Sequence, residues 1–204
     1  MRLQLLGLAA LVAGALALQA PRPPATPIIQ RGACPFECCR LGDWTTTEPL
    51  RVYARERDTG APVFTIPAGQ SIKADTANFY TLRLGVIVAR KPFSVWDHID
   101  KDAESPPKTR ADSQRIAALR RPLAKGDTLY HIGQETEMGD VVWLRGYTAV
   151  IANAWAEPEM PDPEAPAVAV RPIQQEWWVR VTYRGRVGWV QVWKHVPDGA
   201  DGCA

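Results

Sequence analysis

The sequence predicts an all-β protein, and three observations predict it. Short runs alternate apolar and polar residues, glycine and proline turns separate them, and almost no stretch carries a helical repeat. The runs in chain order are "PLRVYA" (49–54), "APVFTIPAGQSIKAD" (61–75, two strands about the turn Pro67-Ala68-Gly69) and "TLRLGVIVARKPF" (81–93). "DTLYHIG" (127–133) and "DVVWLRGYTAVI" (140–151) follow with "EMGD" as the turn between them, and then "EWWVRVTY" (176–183), the turn Arg184-Gly185 and "VGWVQVW" (187–193). Two stretches interrupt the pattern. Residues 96–122 are charged and loop-like, with one short helix expected near Ser113 to Arg120. Residues 156–172 hold five prolines and four acidic residues and read as an exposed extended loop.

The N-terminus points to export. Arg2 precedes an apolar run from Leu3 to Leu18 that is broken by Gln4 and falls short of a bilayer span of about 20 residues. Ala15-Leu16-Ala17 offers a small-x-small site, so residues 1–17 are expected to be a signal peptide. A cut after Ala20 would put Pro21 at the scissile bond, and Cys34 lies too far behind the apolar run to carry a lipid anchor. Residues 18–33, rich in proline, are expected to form a disordered leader. No other run is long enough for an integral membrane span. The expected location is therefore periplasmic or extracellular.

With 24 Lys and Arg against 22 Asp and Glu, the chain lacks the basic field that nucleic-acid binding requires. The cysteines are Cys34, Cys38, Cys39 and Cys203, an even set in an oxidising compartment. A zinc site would need a second ligand knuckle, and His98, His131 and His195 are isolated in sequence. A thioredoxin motif or a catalytic thiol would need a helix start, which the pattern does not supply. The remaining reading is a covalent brace. A Cys34–Cys203 bond would force Cys38 and Cys39 into a vicinal ring, so Cys34 is expected to pair with Cys38 or Cys39 and the other to reach Cys203. That bridge would close a loop worth about 5 kcal/mol in the chain-entropy model. The acidic residues Asp97, Asp100, Asp102 and Glu104 lack the order of a calcium loop, so no metal or other cofactor is expected.

In the last hairpin Trp177, Val179, Val181 and Tyr183 share one face, and Trp178, Arg180 and Thr182 share the other. Trp177, Trp189 and Trp143 are expected to fill cores, while Trp178 points out of its barrel, either packed against the second subdomain or open to a ligand. The strand W-x-V-x-V, a glycine turn and then G-W-V resembles bacterial Src-homology-3-like (SH3-like) domains. The "L-x-V-Y" strand from Leu50 to Tyr53, the "V-x-x-I-P-A-G" stretch from Val63 to Gly69 and "QSIKA" agree with it. "CPFECC" and the terminal "DGADGCA" are similar to a group of exported bacterial proteins that carry SH3-like domains and have no characterised activity.

The resemblance implies an SH3-like small barrel from residues 34–75 plus 174–203, with 76–173 as an inserted or paired degenerate β-subdomain. It also implies an aromatic ligand surface between loops, to which Tyr53 and Trp178 would contribute beside Arg180. The expected function is non-enzymatic recognition of a cell-wall (peptidoglycan) peptide or an envelope protein partner. Other readings are a wall-hydrolase accessory, a cysteine-dependent enzyme, and a structural or inhibitory envelope protein.

Overall fold

A computed structural model describes residues 21–36, 38–97, 120–135, 139–151, 155–192 and 196–202. The residues expected to form a signal peptide, residues 113–119 of the expected short helix, most of the acidic cluster and Cys203 lie outside this set. The described residues are all-β, with strands in two main sheets and no helix.

The first sheet takes strands from both ends of the chain. Its path runs β1 (Ile28–Arg31), β5 (Ser71–Arg83), β14 (Gln174–Tyr183) and β15 (Arg186–Gln191), and β2 (Gly42–Thr45) pairs the first half of β5. β3 (Leu50–Val52) and β4 (Phe64–Ile66) form a hairpin that joins β15 through a two-way backbone bridge between Tyr53 and Trp189. Alternation explains the core beneath this sheet. Trp177, Val179 and Val181 from β14 meet Ile72, Ala74, Ala77 and Phe79 from β5. Trp44, Val52, Ile66 and Val190 close it. The bulge that skips Asp75 shifts the phase of β5, so that 72 and 74, then 77 and 79, all face inward.

The second sheet is built from residues between the two halves of the first. Its order is β12 (Trp155–Ala156), β13 (Ala167–Arg171), β6 (Gly85–Ala89), β9 (Thr128–Glu135), β10 (Gly139–Leu144), β11 (Tyr147–Ile151), β7 (Phe93–Asp97) and β8 (Arg120–Leu123). Ile87, Leu129, Val142 and Leu144 anchor a separate core. The chain changes sheets at Leu84, where the Thr81 hydroxyl donates to the Ile132 carbonyl at 2.9 Å and Arg171 Nε donates to the Leu84 carbonyl at 3.3 Å.

Several expectations are corrected. The changeover falls at Leu84 and not near residue 75, because β5 is one 13-residue strand whose second half pairs with β14. Residues 28–31 are not a disordered leader: Ile28 and Ile29 extend into β1, hydrogen-bonded to β5. Residues 140–151 are a hairpin, since Arg145 and Gly146 both adopt positive φ, as a tight reversal between twisted strands requires. Residues 167–171, read as loop, form an inner strand whose Ala167 and Ala169 are small enough to bury between neighbours. Trp143 and Trp189 are half-buried and do not fill a core.

Candidate functional site

The outer face of the first sheet holds the residues that the sequence singled out for binding. Cross-strand register sets them in rows. Arg31, Asn78, Trp178 and Gln191 form one row, Ile29, Tyr80 and Glu176 the next, and Thr76, Arg180 and Trp189 a third. Trp178 therefore lies on the face opposite Trp177, as alternation requires. Tyr53, just past the end of β3, meets it with the rings edge-on and centroids 5.7 Å apart. Arg180 is exposed on the same face. Trp178 is not open to solvent, however, being only 5% exposed.

Segment 54–60 lies over the row neighbours of Trp178, namely Asn78, Tyr80 and Glu176. It leaves the sheet after Tyr53 and returns over the outer face as a roof, held by charged side chains. Asn78 Nδ2 donates to Glu56 Oε2 at 2.6 Å, and the Tyr80 hydroxyl also donates to Glu56. Arg57 Nε donates to Glu176 Oε2 at 3.2 Å, and Trp178 Nε1 donates to the same oxygen at 3.0 Å. The Arg57 guanidinium lies 5.2 Å from the centre of the Tyr80 ring, a cation–π geometry. Burial, with the hydrogen bond to Glu56 and its charge, pushes the Tyr80 hydroxyl up to about 12, against the opposing pull of Arg31 and Arg57. Arg57 sits at φ 57, a left-handed conformation unfavourable for a residue with a side chain.

Glu56, Arg57, Asn78, Tyr80 and Glu176 were missed from sequence. The available signals were weak: the charged run "RERD" in a loop, and an asparagine and a tyrosine in residues 76–80, between the runs read as strands.

The cysteines lie elsewhere, at the junction of the chain ends. Cys34 pairs with Cys39, and Cys38 is itself disulfide-bonded. Cys203, the one cysteine left in the sequence, lies outside the described residues. The final segment runs beside Cys38 and Cys39, with the Gly202 amide donating to the Cys38 carbonyl and the Arg40 backbone amide donating to the Ala200 carbonyl, at 2.8 and 2.9 Å. This junction packs on the first core, where Trp177 Nε1 donates to the Ala33 carbonyl at 3.1 Å and Phe36 lies edge-on to Trp177. An open cleft of about 500 Å³ lies there between Phe36, Arg40, residues 196–199 and Asp201. In the second sheet buried His131 lies 3.0 Å from Asp140 and stacks obliquely on Trp155.

Comparison of the chain with protein-family models, with curated proteins and with solved structures gave no match.

Proposed function

We propose that this chain is an exported, non-enzymatic binding protein built around an SH3-like barrel, and that the outer face of its first sheet recognises a cell-wall peptide or an envelope protein partner. One observation carries the reading. Tyr53 and Trp178, 125 positions apart in sequence, form a ring pair outside either apolar core. They do so among polar side chains whose hydrogen bonds fix their orientation, with exposed Arg180 alongside. A polar, aromatic outer face is the composition enriched at recognition surfaces. Disulfide bracing of the first core against the chain ends is the chemistry expected of an exported domain.

The test is co-sedimentation with purified sacculi and capture from a native envelope extract, using wild type, Tyr53→Ala and Arg180→Ala. A partner held by wild type and released by both variants, with melting temperatures within a few degrees of wild type, supports the assignment. A partner held equally by all three places recognition elsewhere on the molecule.

A further inference from the structure

The chemistry under the roof identifies what the face is built to hold. The Arg57 guanidinium lies against the Tyr80 ring and on the Glu176 carboxylate, whose Oε2 is oriented by Trp178 Nε1. An aromatic face, a positioned carboxylate and an adjacent indole together make a cation-recognition site. Its occupant here comes from the chain itself. Three features make that occupant replaceable. Its side chain remains 41% exposed. Its ion pair lies near solvent, where such pairs are weak. Its backbone is held at positive φ, and release would relieve that.

We propose that this face recognises a basic group, an ammonium or guanidinium carried by a peptide, and that Arg57 is a built-in surrogate for it. The inference rests on the reading that the outer face binds a partner, and it supplies the chemical class. An incoming cation takes the place of Arg57 between Tyr80 and Glu176, and the oxygen that accepts from Trp178 Nε1 changes partner. The Tyr53–Trp189 backbone bridge holds the near edge of the site fixed.

The test uses the full mature chain and two acetylated, amidated tripeptides, Gly-Arg-Gly and Gly-Gln-Gly, followed by calorimetry and tryptophan fluorescence. Arg57→Asn removes the surrogate while keeping a residue that tolerates the left-handed turn. It should bind the arginine peptide about tenfold more tightly than wild type does, as expected when an internal competitor is removed. Arg57→Lys, which retains a cation, should stay near wild type, and adding Glu176→Gln to Arg57→Asn should abolish the gain. The glutamine peptide should bind none of them. Equal affinity of wild type and Arg57→Asn for the arginine peptide, or no binding by either, overturns the proposal, and so does equal tightening for the glutamine peptide. Partner capture that depends on Tyr53 and Arg180, with no tightening in Arg57→Asn, overturns this inference and leaves the binding face standing.

Discussion

Trp177 and Trp178 are sequence neighbours with opposite surroundings, and their substitutions should fail in different ways. Trp177 is fully buried between Trp44, Phe36 and the inward residues of β5, so Trp177→Ala should cost about 3–5 kcal/mol in chemical denaturation. Alternation alone would make Trp178 an open platform whose removal leaves stability unchanged. At 5% exposure, with its N–H on Glu176, it should instead cost about 3 kcal/mol when replaced by Ala. Near-wild-type melting of Trp178→Ala would mean that Tyr53 does not cover it in solution. Tyr80 gives a pH test of the same cluster. Its hydroxyl titrates at about 12 when folded, against 10 for an ordinary tyrosine, so the folded state keeps its proton where the unfolded chain has lost it. The stability from this group is fully present below about pH 10 and is lost as pH rises through about 12. Denaturation midpoints measured at pH 9 and pH 11 should fall less in Tyr80→Phe than in wild type.

Among the elements, the β14–β15 hairpin was legible because all its information is local. Two alternating runs flank Arg184-Gly185, both at positive φ, and Trp177, Val179 and Val181 share the phase that enters the core. Its partner was legible only in part: the SH3-like resemblance grouped residues 174–203 with 34–75, whereas most of the β5 residues that pair with β14 lie beyond 75. β14 finds β5 about 100 residues upstream, and no local periodicity encodes which of several similar strands it chooses. The roof was hidden for a related reason: "RERD" reads as a solvated turn until Asn78, Tyr80 and Glu176 are brought beneath it. Ala167 to Arg171 went unrecognised because flanking prolines outweighed a short alternating run. Gly188, by contrast, was visible only as a motif letter, and its role is steric. A Cβ there would collide with a Val52 methyl and lie 2.8 Å from the Tyr53 carbonyl oxygen, where β15 crosses the β3 hairpin. Gly188→Ala should therefore destabilise by about 1–3 kcal/mol and weaken amide protection at Tyr53 and Trp189 in hydrogen exchange. Unchanged protection at both positions would show that the crossing has room to adjust.

For the whole molecule, the cysteine expectation becomes specific. With Cys34 bonded to Cys39 and Cys38 also oxidised, a non-reducing peptide map should return Cys38 linked to Cys203 and no free thiol. Recovery of Cys38 in any intermolecular dimer would break that assignment. The long β5–β14 ladder makes a second demand. A fragment of residues 21–95 would leave Phe79 and Trp44 without Trp177, Val179 and Val181, so it should give a collapsed, undispersed amide spectrum.

The same ladder bears on the order in which a growing chain can acquire structure. Strands β6 to β13 form a contiguous block, and every partner they need has been synthesised once residue 171 emerges from the ribosome. The first sheet must wait for residues 174–191, with β5 unpaired along the edge that β14 will cover. Translation would thus deliver a finished inner block while the outer sheet's apolar strand is still exposed, an interval in which association with other chains or a chaperone competes with folding. In a stalled-chain series assayed by pulse proteolysis, protection of residues 85–171 should appear before protection of residues 71–83.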